Sequence, residues 1–589
     1  MNADLKKKIR LWSAYALLLL VALGFRLFVA LRLPNDEPDD GRVYSQLARN
    51  MLEQHVYSHD SQAPYAPSII RLPGYPLFIV GVYAAFGHGN NTAVRVAQAV
   101  VDTATCVLIA LVALEWSIDD ERKHRAAIIA FALAAVCPFT AIYVATILTE
   151  AWASFLAVAM VLAATFAFKG TTRKKAFAWW FVAGLIGGLA VEFRPDSGLF
   201  AAAVGGTLVL TAIARSTRLI FARIREVIPA AVLFSLAFCI VLIPWTIRNR
   251  RVFHVFQPLA PTHGEMPGEF VPHGYLLWLR TWLDDSRYIG PVLWSVDTRP
   301  IRITDFPASA FDSNEERDRV AALLEKYNHP PDEEAPSDTQ AEDTSQPDEQ
   351  ASNDQDNDQG NDEENQDEEE EPEQEEQAEP EEANVELTPD IDAGFAQLGQ
   401  ERRSRAPLRY YVVLPLKRAM TLWFDTHSQY YPFNGELLPL KDLDYDIHQQ
   451  YWLPLFAGLT GLYSLLGVLG GWLLWRSRDP NARRWLLLAV LLIFLRLGFF
   501  ATLENPEPRY AVEIFPFLII LAGAGASTIK APLWSAVPWH RFGQSADKSA
   551  HSKEVLTYQG VGEGDGDGDG RCSDGGMTAG FGLSGEECK

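Results

Sequence analysis

Stretches apolar enough to enter a bilayer, and long enough or nearly long enough to cross it, recur at 12–32, 93–116, 124–143, 146–168, 176–192, 197–214, 227–245, 451–475, 485–503 and 511–529. In hydrocarbon no water satisfies a backbone N–H or C=O, so runs of this length can cross only as helices that close their own hydrogen bonds. The pattern therefore predicts an all-α integral membrane protein with about ten transmembrane helices. A further apolar stretch, GYPLFIVGVYAAFG at 74–87, is too short for an easy crossing and reads as an interfacial or re-entrant helix.

Basic clusters orient these spans. KKKIR at 6–10, ERKHR at 121–125, KGTTRKK at 169–175, the stretch from Arg215 to Arg225, and RSRDPNARR at 476–484 all fall on one face if there are ten crossings. Lys and Arg accumulate on the cytoplasmic side, which makes that face and both termini cytoplasmic. The first run follows KKKIR and ends in LRLPND with no small-residue cleavage site, so it reads as an uncleaved anchor.

The formal charge of −23 belongs to one segment. Residues 331–386 hold 26 Asp and Glu and no Lys or Arg, and removing those 26 turns −23 into +3. That tract is almost free of apolar residues and is expected to be disordered, as is the Gly/Asp-rich C-terminal end. The expected organisation is an N-terminal transmembrane catalytic module at 1–250, whose seven spans include a first external loop at 33–92. A large external loop follows in two parts, 251–330 and 387–449, separated by the acidic insert at 331–386. A three-span module at 450–530 and a cytoplasmic tail at 531–589 complete the chain. Aromatic stretches in the large loop, GYLLWLRTWLDD and PLRYYVVLPLKRAMTLWF, fit either a lid over a site at the membrane surface or the binding part of a receptor.

Polar residues far apart in sequence converge on the outer face. Asp36, Glu37, Asp39 and Asp40 follow the first span, and Tyr44 and Ala48, at four-residue steps from Asp40, fit a helix with Asp40 near its N-terminus. A carboxylate there can take a proton from an alcohol. The helix terminus lowers its pKa, so its basicity has to come from desolvation or from a substrate's negative charge. Glu150, in LTEAW, opens a span on the same side. Arg71, Arg194, Arg248 and Arg509 share that face, and a guanidinium fork suits the oxygens of a phosphate ester. Arg26 and Arg496 lie deeper in their runs, and Arg26 is read as near enough to a span end to snorkel.

Other signals carry little. Cys106, Cys137 and Cys239 lie in apolar runs, and no disulfide framework or Cys/His metal spacing is visible. Asp565, Asp567 and Asp569 resemble the start of a calcium loop, but the twelfth position is Gly576.

With these residues assembled, the chain resembles the GT-C superfamily of membrane glycosyltransferases. The resemblance is to the bacterial relatives of protein O-mannosyltransferases and of the lipid A aminoarabinose transferase. It rests on an acid preceding a Tyr by four positions (Asp40 and Tyr44), an RLPGYP segment (Arg71–Pro76), and an acid opening the fourth span (Glu150). It rests also on the pair Arg194 and Pro195, the segment PWTIRN (Pro244–Asn249), and Glu507, Arg509 and Tyr510 near the last span.

The resemblance implies inverting transfer of a hexosyl or pentosyl unit from a polyprenyl-phosphate donor to a lipid, glycan or protein acceptor, outside a bacterial inner membrane. Asp40 would be the base, with Asp39 in reserve. Glu150 would position the acceptor or complete a proton or metal network, and the arginines would hold the phosphate. Tyr44, Tyr75 and Tyr510 would line the pocket. Partners are then the lipid donor, the acceptor and membrane lipids, with no nucleic acid. No cofactor is required, and a divalent cation is compatible with the acids. The alternative is a transporter or flippase of lipid-linked sugars, for which acids at span ends and the lack of an internal repeat argue poorly. A receptor would make the large loop, and not Asp40 or Glu150, the essential part.

Overall fold

The computed structural model describes residues 3–33, 39–214, 220–329, 385–425, 437, 440 and 447–529. The C-terminal tail and all but the last two residues of the acidic tract lie outside the described residues, as do the readings of both as disordered.

Among the described residues every regular element is helical. The first span is α1 (Ala3–Arg32). An external segment then forms α2 (Asp39–Glu53) and α3 (Gly74–Phe86), the second being 13 residues and too short to cross. The N-terminal set continues with α4 (Asn91–Trp116), α5 (Lys123–Ala135), α6 (Pro138–Ala141), α7 (Glu150–Lys169), α8 (Arg173–Phe193), α9 (Gly198–Ala214) and α10 (Ile220–Val252). The large loop holds α11 (His273–Leu279), α12 (Asn314–Asn328), α13 (Pro389–Arg405) and α14 (Leu414–Phe424), and α15 (Ile447–Arg476), α16 (Pro480–Ala501) and α17 (Phe515–Ala526) follow. Among the described residues nine helices are long and apolar enough to cross, and a bent pair, if one span, brings the total to ten, so the chain is a multi-pass membrane protein.

The bent pair corrects the expected continuous span at 124–143. Its two parts, Lys123–Ala135 and Pro138–Val144, meet at 51°. Cys137 is extended there, and Pro138 brings no N–H to continue the helix and a ring that clashes with the preceding turn. Elsewhere the helix starts follow ordinary capping chemistry: Asp479 Oδ1 accepts from the backbone N–H of Asn481 and Ala482 at 2.7 and 3.0 Å, with Pro480 at the first helical position.

α7 and α17 are buried through most of their length, whereas α1 and α10 leave Leu17, Leu20, Phe28, Leu236 and Ile240 exposed. Large apolar side chains facing outward from long helices are what a lipid solvent selects. The C-terminal spans are packed into the N-terminal ones. Trp116 stacks on Trp485 at 5.5 Å and Phe139 on Phe515 at 4.4 Å, and a Cβ on Gly523 would meet Ala126 O at 2.7 Å. Outside the spans, α11, α12 and α13 share a small apolar core around Tyr275, Trp278, Leu324 and Phe395. The first aromatic patch of the loop is thus a folding core. The second forms Arg409–Phe424, whose Tyr411, Leu416 and Met420 are exposed.

Candidate active site

The polar residues gather where five segments meet: the start of α2, the loop before α3, the start of α7, the turn between α8 and α9, and the 3-10 turn Pro508–Ile514. Gly74 is why the α3 segment comes so close. A Cβ there would stand 2.6 Å from Glu192 O and 2.7 Å from Phe193 Cδ2 at the end of α8, so only glycine lets the RLPGYP segment seat against it.

Asp40 is the hinge of the outer part of the site. Its Oδ1 accepts from Arg71 Nη2 at 2.7 Å and its Oδ2 from Arg509 Nη1 at 3.0 Å, joining the first external loop to the last span. Burial raises its pKa, but the two guanidiniums outweigh burial and bring it down to about 2. Glu507 Oε2 stands 2.8 Å from Arg509 Nε. Burial, aided by the charges of Glu150 and Asp40 and opposed by Arg509, pushes Glu507 up to about 7.

A second cluster lies behind the first. Arg194 reaches Glu150 Oε1 at 2.6 Å, Asp196 at 3.0 Å and Glu513 at 3.6 Å, and Arg496 reaches Asp196 at 3.1 Å and Glu513 at 2.8 Å. Arg496 also donates to Tyr510 O at 2.7 Å. The guanidiniums of Arg194 and Arg509 lie 5.3 and 5.2 Å from the Tyr510 ring centroid, so this ring adjoins both clusters. Glu150 Oε2 is buried without a hydrogen-bond partner among the described residues.

The structure brings Asp40, Arg71, Glu150, Arg194 and Arg509 into one neighbourhood. Tyr44 packs edge-on to Tyr75 at 4.9 Å under Arg71, and burial pushes its phenol up to about 12. Tyr75 is fully buried and donates to Gln98 Oε1 at 2.5 Å. Asp39 opens α2, but its side chain lies outside the described residues. Arg248 stands on the far side of Tyr57, donating to Ser68 O at 2.7 Å.

Arg26 does not snorkel. It is fully buried, binding Asp102 at 2.6 Å and donating to Ala134 O and Ala135 O at 3.0 Å, because hydrocarbon offers its charge no other partner. Asp196 and Glu513 complete the site, together with Arg496 and Glu507, which the sequence marked without giving either a role at the site. The signal for two of them was available: Arg496 and Glu513 are opposite charges in neighbouring apolar runs.

Four guanidiniums, of Arg71, Arg194, Arg496 and Arg509, thus face five carboxylates, of Asp40, Glu150, Asp196, Glu507 and Glu513. The inner arginines are enclosed by acids. Arg71 is part-exposed and can exchange its carboxylate for an anion from outside. Among the described residues no three His, Cys, Asp or Glu side chains group to hold a metal ion.

Residues 67–245 match the family model for dolichyl-phosphate-mannose-protein mannosyltransferase, a segment containing Arg71, Tyr75, Glu150 and Arg194 but not Asp40, Arg248 or Arg509. No curated protein matches. Among solved structures, the Archaeoglobus fulgidus oligosaccharyltransferase tethered with an acceptor peptide is 13% identical over 88% of this chain, with a TM-score of 0.43. This chain covers half of that protein's length. ArnT from Cupriavidus metallidurans bound to undecaprenyl phosphate is 12% identical over 87% of this chain and 77% of its own, with a TM-score of 0.33. Through its many apolar spans and the matched segment from residue 67 to 245, the chain resembles the GT-C membrane glycosyltransferases.

Proposed function

We propose that this protein transfers a sugar from a polyprenyl-phosphate donor to an acceptor hydroxyl at the outer face of the cytoplasmic membrane, with inversion at the anomeric carbon. The observation that carries the reading is Asp40 held between Arg71 and Arg509 beside a part-exposed guanidinium. In the resting site, with a pKa of about 2, Asp40 is a weak base. A donor phosphate that takes Arg71 and Arg509 removes the cations that depress Asp40 and brings negative charge beside it, and both effects raise its basicity. Asp40 then accepts the acceptor's hydroxyl proton as that oxygen bonds to the anomeric carbon. The anomeric carbon–oxygen bond to phosphate breaks on the opposite face, and the polyprenyl phosphate leaves on the two arginines.

Arg194, enclosed by Glu150, Asp196 and Glu513, has a positioning role in this scheme: it fixes Glu150, whose free oxygen is available to an acceptor. The family match supports a lipid-phosphate sugar donor in general terms. The test is transfer of radiolabelled sugar from polyprenyl-phosphate donors by purified wild type and Asp40→Asn. A loss of about a hundredfold or more is expected for removal of a general base. Equal transfer by both would sink Asp40 as the base.

A further inference from the structure

Glu192 takes no part in either cluster, yet it is 5% exposed and neither carboxyl oxygen has a hydrogen-bond partner among the described residues. A buried carboxyl group left without a partner is costly, and such a group at the end of a span marks a place where something else is to bind.

Its surroundings are fixed by the packing of α8 on α10. A Cβ on Gly184 would run into Phe234 O and Ala237, and one on Gly188 would stand 2.5 Å from Phe238 O and 2.9 Å from Val241 Cβ. The two helices therefore run in the same direction in backbone contact, a small-residue spacing that brings helices together in lipid. One turn further on, Glu192 comes level with the stretch ending in Trp245. Trp245 is 6% exposed and its Nε1 is likewise buried without a partner. The Tyr57 ring lies edge-on to Trp245 at 5.1 Å, and its phenol is within electrostatic range of both Glu192 and Arg248. Tyr57 donates to Arg71 O at 3.0 Å, so this group adjoins the residue that holds Asp40.

An unused acceptor and an unused donor beside aromatic faces, adjoining a phosphate-binding arginine, match a neutral polyhydroxylated ring attached to a phosphate. We infer that Glu192, Trp245 and Tyr57 form the subsite for the sugar ring of the lipid-linked donor. The Glu192 carboxylate accepts hydrogen bonds from ring hydroxyls, the Trp245 indole N–H donates to another, and the aromatic faces take the C–H face of the ring. This rests on the proposed function and adds the residues that read the sugar.

The experiment measures binding by purified protein in nanodiscs of undecaprenyl phosphate alone and of its mannosyl, glucosyl, galactosyl and arabinosyl forms. Wild type is expected to bind at least one glycosylated form about tenfold more tightly than the bare lipid, the scale of one hydrogen bond to a charged group. Glu192→Leu is expected to erase that preference and Glu192→Gln to reduce it to about two- or threefold. Both should keep wild-type affinity for the bare lipid, which shows that each is folded. Preference retained in Glu192→Leu, equal loss of both affinities, or no preference in wild type overturns the inference and leaves the proposed function standing. Failure of wild type to bind any of these lipids overturns the proposed function and this inference with it.

Discussion

Arg26 with Asp102, and Asp40 with Arg71 and Arg509, are made of the same chemistry and differ in enclosure. The first pair lies between α1 and α4, with side-chain exposures of 0% and 1%. Backbone carbonyls of Ala134 and Ala135 take up the remaining N–H groups, so the charges have nowhere else to go. In the second group Asp40 is 27% exposed and Arg71 29%, and one carboxylate is divided between two cations from opposite ends of the chain. A closed pair holds helices together, whereas a part-open, divided one can rearrange when a stronger anion arrives. The same residue types thus serve folding in one place and, under the proposed function, substrate exchange in the other.

The largest effect should come from opening the closed pair. Arg26→Met leaves Asp102 buried without a cation, a change that costs about 3–5 kcal/mol. Thermal unfolding of the purified protein should show a much lower midpoint, while transfer per folded molecule stays near wild type. Asp40→Asn should do the reverse, losing transfer with an almost unchanged midpoint; if it destabilises the protein as much as Arg26→Met, the distinction collapses.

A smaller effect is expected from Glu507, the acid at the edge of the open group. Its folded-state pKa of about 7 lies above its ordinary value, so the folded state holds the proton more tightly than the unfolded chain. The stability this contributes is complete below about pH 4.5 and is lost as pH rises through 7. Melting midpoints between pH 4.5 and 8 should therefore fall for wild type and fall less for Glu507→Gln. Parallel curves would remove Glu507 as the titrating group.

The smallest change should follow from removing both closed charges together. Arg26→Met with Asp102→Leu replaces a buried pair by apolar groups and should return to within about 1–2 kcal/mol of wild type. A double variant as unstable as Arg26→Met alone would mean that the backbone contacts of Arg26, and not its charge pairing, hold α1 in place.

Much of this was legible in the chain, for identifiable reasons. Apolar run length marks a crossing whatever its neighbours are, so the spans were readable one by one, and the four-residue steps from Asp40 gave α2. The bend at Pro138 was readable in principle, but an apolar run conceals where its helix breaks. At the site, Asp40, Arg71, Glu150, Arg194 and Arg509 were placed on one face by topology alone. Which acid each arginine meets was not readable, since Arg194 with Glu513 and Asp40 with Arg509 depend on how α17 enters the N-terminal bundle. Glu192 escaped notice for the same reason. Its sequence neighbours, Phe193 and Arg194, say nothing of Trp245, which is supplied by the packing of α8 on α10.

The ion pair between Asp40 and Arg509 also bears on how the protein is made. Arg509 leaves the ribosome long after Asp40, Arg71, Glu150, Arg194 and Arg248 are in place. Until the last span inserts, Asp40 has Arg71 as its partner, and Arg194 and Asp196 lack Arg496 and Glu513. A nascent chain stalled in the large loop holds most of the site residues and no complete cluster. Under the proposed function, competence is therefore acquired only once the last span inserts, which would keep a stalled chain from acting on the donor lipid.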